Sequence, residues 1–290
     1  MAARSRLYSP RLLFGLIVAA AALTLIGRGW LTWRWDSPIR GLLWSEGGVG
    51  ALIAWLPNAT WESWATTSDQ WITPLLTAVG IALLALGLFS IALSLGVFQS
   101  GRWLLLIGAA LLILDSVGRW VAADFDFGMA IEHALQIVAP IVLFGAIGRR
   151  SEGSVWARVI AVATAATFVG HGCYAAGIHP VPVSYQTMTM AILGVSETGA
   201  LGFLKIAGWL DFVAAAALFV PFARWFGVGY CIIWGLATAL ARAIAHIDLN
   251  APLERLDPWL FETMVRSPHW MLPLVLMLSW LARRTESASP

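Results

Sequence analysis

Runs of apolar residues, each about as long as a lipid bilayer is thick, constrain this chain more than any other feature. Eight such runs occur in 290 residues, of which 59% are hydrophobic and only 12% are charged. A bilayer core of about 30 Å takes about 20 helical residues to cross, and open sheet edges cannot lie in lipid. We therefore expect an all-α, polytopic integral membrane protein with eight transmembrane helices near 11–27, 72–98, 103–122, 128–147, 155–177, 199–223, 227–247 and 268–282.

Charge and motifs exclude several function classes. The formal net charge is only +2 and no basic block occurs, which argues against a nucleic-acid partner, since phosphate binding needs clustered Lys and Arg. Two cysteines, Cys173 and Cys231, cannot form a disulfide framework. The chain has no phosphate-binding loop, dinucleotide fingerprint, Cys-x-x-Cys or zinc-protease helix. The partners that remain are membrane lipids and the subunits of a membrane complex.

Arginine is distributed unevenly among the connections between the apolar runs. One set of connections, together with both termini, holds Arg4, Arg6, Arg11, Arg102, Arg149, Arg150, Arg158, Arg224, Arg283 and Arg284. The other set holds most of the acidic residues, namely Asp36, Glu46, Glu62, Asp69, Asp124, Asp126, Glu197, Asp248, Glu254, Asp257 and Glu262. By the positive-inside rule, both termini are expected in the cytoplasm, which agrees with an even number of spans.

The first acidic connection is rich in tryptophan. Its members and neighbours are Trp30, Trp33, Trp35, Trp44, Trp55, Trp61, Trp64 and Trp71. Indole rings prefer the headgroup region of a membrane, so we expect Ser37–Trp44 and Gly48–Trp55 to form short amphipathic helices on the outer surface. A tryptophan box for a sugar or a cofactor is the alternative interpretation.

The second half of the chain resembles the first in four places that occur in the same order. Gly27-Arg28-Gly29-Trp30 matches Gly170-His171-Gly172-Cys173, and Leu76–Ala85 matches Leu204–Val213. The later matches pair Leu105–Arg119 with Ile232–His246, and Pro140 with Pro273. We expect two four-helix repeats, residues 1–150 and 151–290, in one orientation because each has an even number of spans.

The second repeat is similar to the DoxX-like superfamily of membrane proteins. The likeness is in Gly170-His171-Gly172, in Glu197 and in Leu204-Lys205-Ile206-Ala207-Gly208. It implies a four-helix membrane unit, and the family includes the small membrane subunit of a thiosulfate-to-quinone oxidoreductase. It also implies a bacterial cytoplasmic (inner) membrane protein. The first repeat departs from the pattern, since Arg28 replaces the histidine and Thr77 replaces the lysine.

Ionisable residues inside the spans are expensive in lipid and often mark a site. Most lie roughly 8–12 Å from the outer ends of their helices, at a rise of about 1.5 Å per residue; these are Asp115, Glu132, His133, His171, Lys205 and Arg242. Asp211 lies deeper, at roughly 20 Å. This segregation predicts a shared polar cavity that opens outward.

Spacing assigns roles to some of these groups. Asp115 and Arg119 stand four residues apart on one helix, which predicts a structural ion pair. Arg242 and His246 also share a face, but the partner of Arg242 must come from another segment, with Asp211, Glu197 and Asp248 as candidates. Lys205, the only lysine, is expected to bind an anion or act as a base, or else to pair with Glu197 or Asp211.

We place the ligand site in the second repeat, which holds the cations without a local partner. Its expected members are His171, Glu197, Lys205, Arg242, His246 and His269. Histidines from separate helices could also ligate haem or a metal, but no ligand pair stands at helical spacing, so no metal site is assigned. Two short amphipathic segments, Gln186–Ser196 and Pro258–Met264, are expected to form a lid.

Three functions are consistent with these features. The first is a quinone-linked or otherwise redox-associated membrane subunit, which the family resemblance favours. The second is a carrier or binding protein for a small anion or a lipid, with Lys205, Arg242 and Arg119 as its cationic lining. The third is a structural subunit of a larger membrane complex that docks through its tryptophan-rich outer helices.

Overall fold

The computed structural model describes residues 10–148, 153–248 and 251–287, and within these ranges all regular structure is helical. We number the α-helices in chain order. They are α1 Pro10–Arg34, α2 Pro38–Leu43, α3 Ala51–Ile53, α4 Trp61–Thr67, α5 Asp69–Ser94, α6 Leu104–Ala122, α7 Phe127–Glu132, α8 Ala134–Ile147, α9 Gly153–Ala175, α10 Val183–Leu193, α11 Glu197–Ala217, α12 Arg224–Ala245, α13 Pro252–Val265 and α14 Pro268–Ser287. A π-helical turn, Glu46–Gly50, and a 3₁₀ turn, Gln99–Trp103, complete the set.

Seven helical segments within the described residues are long and apolar enough to cross a membrane. They are Pro10–Arg34, Asp69–Ser94, Gln99–Ala122, Phe127–Ile147, Val155–Ala175, Glu197–Ala217 and Arg224–Ala245. Each coincides with one of the first seven spans expected from the sequence. The chain is therefore an all-helical, polytopic membrane protein.

The eighth expected span, 268–282, lies within α14, which is not among these seven segments. Its apolar stretch is short because His269 stands near its start and Arg283 and Arg284 stand near its end. The helix is nevertheless central, since Leu272 and Leu276 are fully buried and it packs against α1, α8, α9 and α12.

The tryptophan-rich connection between α1 and α5 is built from short capped helices. Ser37 begins α2 by accepting a hydrogen bond from the backbone of Ile39, and Pro38 occupies the first helical turn. The hydroxyl groups of Ser45 and Thr60 cap the π-helical turn and α4 in the same way. The expected helix at 37–44 is thus present as Pro38–Leu43, whereas the one expected at 48–55 is divided between the π-helical turn and α3.

Glycines bring the first helix of each half close to its partner. A Cβ atom on Gly29 would lie 2.7 Å from the carbonyl oxygen of Gly80, so α1 and α5 touch through their backbones. In the second half, a Cβ atom on Gly172 would lie 3.0 Å from the carbonyl oxygen of Gly208. The two contacts join residues that the sequence comparison had already matched, Gly29 with Gly172 and Gly80 with Gly208.

The largest apolar core lies where α1, α8, α9, α11, α12 and α14 meet. Most buried charged residues lie instead at one end of the bundle, where connections 35–68, 123–126, 176–196 and 246–267 are found. We call this the long-loop end. The candidate site lies there.

Candidate functional site

Asp115 joins three helices at the long-loop end. Its Oδ2 atom lies 3.1 Å from Nε of Arg119 on the same helix and 3.3 Å from Nε of Arg28 on α1. The hydroxyl of Ser37 donates to its other oxygen over 3.3 Å. The structure thus contains the expected Asp115–Arg119 pair. Arg28 is an additional member, which spacing along one helix could not reveal.

Glu132, at the end of α7, connects two histidines. Its two oxygens lie 3.5 Å from Nε2 of His133 and 3.5 Å from Nδ1 of His171. The hydroxyl of Tyr185, on α10, lies 3.1 Å from the same nitrogen of His171. Gly170 permits this approach, because a Cβ atom there would meet the Cβ of Glu132 at 2.7 Å.

Glu262, on α13, lies between two arginines, Arg242 in the last turn of α12 and Arg266 directly after α13. It accepts a hydrogen bond from Arg266, and its Oε2 lies 3.8 Å from Nε of Arg242. Glu262 was not among the partners expected for Arg242. Burial alone would raise the pKa of Glu262, but the guanidinium groups of Arg266, Arg28 and Arg119 hold that pKa well below its usual range.

A cavity of about 360 Å³ lies among α9, α10, α11 and α12, next to these charges. The polar residues toward its long-loop end are His171, Tyr185, Arg242, Arg266 and His269. The rest of its wall is mostly apolar, with Phe168, Ile192, Leu193, Phe203, Leu204, Trp234, Leu240 and Ile244. Its volume is within the range of small-molecule sites.

Helix α10 lines the cavity and overlaps Gln186–Ser196, one of the two segments predicted to form a lid. Helix α10 contributes Tyr185, Met188, Thr189, Ile192 and Leu193 to the lining. Burial and the nearby carboxylate of Glu132 raise the pKa of Tyr185 to about 12, so this phenol stays protonated. The other half of the predicted lid, now α13, does not line the cavity, although Arg266 directly after it does.

Among the described residues that line the cavity, His269 is the one with a buried side-chain nitrogen that lacks a hydrogen-bond partner. Its side chain lines the cavity with 2% exposure, and its ring centroid lies 5.2 Å from that of His171. Among the residues the structure describes, its Nε2 atom has no hydrogen-bond partner. A buried polar nitrogen without a partner is costly in a folded protein, so it marks a position where a ligand can supply the missing hydrogen bond.

His246 lies beside the cavity but does not line it. Its Nδ1 atom is 2.7 Å from the carbonyl oxygen of Arg242. Its ring stacks on Trp259, with centroids 3.6 Å apart and an angle of 11° between the planes. These contacts attach α13 to α12, so His246 orients the segment that carries Glu262.

The structure does not bring Glu197 and Lys205 into the cavity, which corrects the expected site. Both residues are exposed on α11. The inward face of this helix carries Leu204, Gly208 and Asp211, at intervals of four and three residues. Lys205 falls instead on the outward stripe with Leu201 and Trp209, so its ammonium group cannot be part of the cavity lining.

Asp211 lines the cavity away from the long-loop end. It is 2% exposed, and the hydroxyl of Tyr230 donates to its Oδ1 over 3.0 Å. Tyr230 also lies 3.2 Å from the carbonyl oxygen of Ala207. The cavity therefore has a polar group at each end and apolar walls between them.

The described side chains do not form a metal centre. No group of three or more His, Cys, Asp or Glu residues in the described ranges could hold a metal ion. His133 and His171 both direct a nitrogen toward Glu132. These contacts give the two imidazoles a hydrogen-bonding role.

In the first half, the region that the alignment matches to the cavity of the second half is filled by packed residues. A Cβ atom on Gly118 would lie 2.6 Å from the carbonyl oxygen of Pro38, so α2 presses directly on α6. Ile39 of α2 packs with Ile72 and Leu76 behind it. The residue aligned with Gly118 in the second half is Ala245, whose methyl group prevents an equally close approach.

Comparison with known proteins adds no relative: no family model, no curated protein and no solved structure matches the chain. The resemblance to the DoxX-like superfamily stays a prediction.

Proposed function

We propose that this membrane protein binds a neutral, membrane-dissolved ligand of the quinone type in the cavity described above, as a quinone-linked membrane subunit. The observation that carries the proposal is the unpartnered Nε2 atom of the buried His269 in an otherwise apolar cavity. A quinone carbonyl oxygen would accept the hydrogen bond that this nitrogen can donate.

The walls of the cavity favour a ligand that arrives from the bilayer. Five apolar lining residues are between 39% and 51% exposed, namely Ile192, Leu193, Phe203, Leu240 and Ile244. The cavity therefore communicates with the surface that faces lipid. An apolar tail can follow this route, whereas a small hydrophilic substrate would have to cross it without water.

The charges near the cavity favour a neutral headgroup over an anion. Arg242 and Arg266 carry two positive charges, but Glu262 lies against both and Glu132 lies beside His171. Glu262 is thus the carboxylate that pairs with both guanidinium groups, whereas Glu132 contacts the two histidines. An anionic ligand would have to displace a buried carboxylate, which makes the carrier of small anions the weaker alternative.

Binding of a soluble quinone analogue tests the proposal. In detergent, titration with decylubiquinone should quench tryptophan fluorescence, because Trp234 lines the cavity. His269→Leu should weaken this binding by about tenfold, since one hydrogen bond is worth about 0.5–1.5 kcal/mol. The same variant should melt no lower than the wild type, because it removes a buried nitrogen that has no partner.

Lys205→Met is the matched control. Lys205 is exposed and lies outside the cavity lining, so its loss should leave quinone affinity unchanged. If Lys205→Met weakens binding as much as His269→Leu does, or if the wild type does not bind decylubiquinone, the proposed site is wrong.

We also propose that the chain is a tandem duplication of a DoxX-like four-helix unit, residues 1–150 and 151–290, with α14 as the eighth span. The equivalent glycine contacts, Gly29 on Gly80 and Gly172 on Gly208, support this proposal. The arginine asymmetry supports cytoplasmic termini. The family resemblance supports a bacterial inner membrane.

A further inference from the structure

We propose that the deep end of the cavity, formed by Asp211, Phe168 and Trp234, binds a lipophilic organic cation. This is a second ligand class, beyond the neutral quinone proposed for the long-loop end. The lining residues of α12 run from Trp234 to Ile244, which corresponds to about 15 Å of helix, so the two ends are separate.

The carboxyl group of Asp211 has no cationic partner in the described part of the chain. None of the ion pairs found there includes it, and the side-chain hydrogen bond found for it comes from Tyr230. A carboxyl group with 2% exposure is stable when it is neutral or when a cation lies against it. Asp211 is therefore poised to receive a cation from outside the chain.

The fold itself does not require a carboxyl group at this position. The alignment of Leu76–Ala85 with Leu204–Val213 places Leu83 opposite Asp211. Leu83 is 1% exposed and packs with Leu25 and Leu112 in a small apolar cluster. The same helix position is thus satisfied by leucine in one half, which indicates that Asp211 serves the cavity.

Aromatic rings surround the approach to Asp211. The rings of Phe203 and Trp234 have centroids 5.9 Å apart, and those of Phe168 and Tyr230 are 6.3 Å apart. The faces of aromatic rings attract cations, and tryptophan does so most strongly. A carboxyl group among such rings is a recognition site for quaternary ammonium or phosphonium groups.

An inorganic cation fits this site less well. Ca²⁺ takes six to eight oxygen ligands and Mg²⁺ takes six, whereas the side-chain oxygens near this end belong to Asp211, Tyr230 and Thr238. The apolar walls would instead solvate the alkyl or aryl groups of an organic cation. The opening at Phe203, Leu240 and Ile244 gives such a molecule access from the bilayer.

Equilibrium dialysis of the full-length protein in detergent tests this inference. The probe is methyltriphenylphosphonium, and triphenylphosphine oxide is a neutral molecule of similar shape. We expect the wild type to bind the phosphonium at least tenfold more tightly than the oxide. Asp211→Asn keeps the shape of the side chain and should abolish this preference, while Asp69→Asn, at an exposed carboxylate, should retain it.

Several results would overturn the inference. Equal binding of methyltriphenylphosphonium and triphenylphosphine oxide by the wild type would overturn it, whatever the variants show. So would a preference that survives in Asp211→Asn, or complete displacement of the phosphonium by sodium or magnesium ions. Decylubiquinone binding by Asp211→Asn separates the two proposals, because that variant should lose the phosphonium site and keep the His269 site.

Discussion

Asp115 balances two arginines inside the bundle. Arg28 and Asp115 are almost completely buried, with side-chain exposures of 3% and 4%, and Arg119 lies against the same carboxylate. Removing one partner of a buried ion pair leaves an uncompensated charge, which typically costs about 3–5 kcal/mol. The carboxylate is therefore a structural requirement of the first half.

We predict that Asp115→Asn destabilises the protein strongly, by about 3–5 kcal/mol, since the substitution leaves Arg28 and Arg119 without their counter-charge. Thermal unfolding in detergent, followed by tryptophan fluorescence, should show a large fall in melting temperature.

Asp69→Asn is the control for this measurement. Asp69 also pairs with an arginine, Arg40, but its side chain is 57% exposed, and exposed pairs contribute about 0–1 kcal/mol. The Asp69 variant should melt close to the wild type. Equal melting of the two variants would show that Asp115 is not needed to hold the first half together.

Individual residues were predicted from the sequence with uneven success, for a physical reason. The Asp115–Arg119 pair lies on one helix, where spacing determines proximity. Arg28 reaches Asp115 and Glu262 reaches Arg242 from other segments, and spacing along a helix carries no information about these two contacts. Lys205 was assigned to the site from its depth in the span alone. The spacing of Leu204, Gly208 and Asp211 defines the inward face of that helix, and Lys205 does not lie on it.

At the scale of helices, glycine determines how closely the long helices pack. We predict that Gly80→Ala and Gly208→Ala each lower the free energy of unfolding by about 1–3 kcal/mol, the usual cost of overpacking. Their Cβ atoms would lie 2.8 Å from the backbone nitrogen of Trp33 and 2.3 Å from that of Ala176. Backbone atoms at these distances cannot move aside without separating the helices.

Gly15→Ala provides the matched comparison within a long helix. A Cβ atom on Gly15 meets nothing within 4 Å, so only helix propensity changes, which favours alanine by up to about 1 kcal/mol. The melting temperatures of Gly15→Ala, Gly80→Ala and Gly208→Ala show whether close helix packing is what requires glycine. If Gly15→Ala destabilises as much as Gly80→Ala, close packing is not what the glycines at 80 and 208 provide.

The long helices were more predictable from the sequence than the connections between them. Apolar length gave the first seven spans, because a membrane imposes the same requirement on every crossing. The tryptophan-rich connection was less predictable, since caps such as Ser45 and the π-helical turn Glu46–Gly50 depend on local hydrogen bonds. Likewise, α13 extends over Pro252–Val265, whereas the sequence predicted only its second half.

The proposed duplication would give the two halves similar helix arrangements with different contents. In the first half, Gly118 lets α2 seal the space over α6, and Leu83 fills the interior. In the second half, the cavity remains between α10 and its neighbours, with Asp211 at the equivalent position. A duplicated fold can therefore keep one half as a packed support and use the other half for binding.

The arginine asymmetry and the number of spans together determine where the C-terminus lies. Among the described residues, Arg102 lies against Gly148, and Arg224 stacks on Trp280, so the basic connections share one end of the bundle. With α14 as an eighth span, residue 287 lies at that same end, which the positive-inside rule predicts to be cytoplasmic. With only seven spans, it would lie on the opposite side.

We predict that a cysteine at position 287 is cytoplasmic and that one at position 47 is external. Both would be introduced singly after Cys173 and Cys231 are replaced by alanine, and Gly47 is suitable because a side chain there meets nothing within 4 Å. A membrane-impermeant maleimide applied to intact cells should label Gly47→Cys at once, and should label Ser287→Cys only after the membrane is opened. Equal labelling of both from outside would contradict eight spans with cytoplasmic termini, and would indicate that α14 does not cross the membrane.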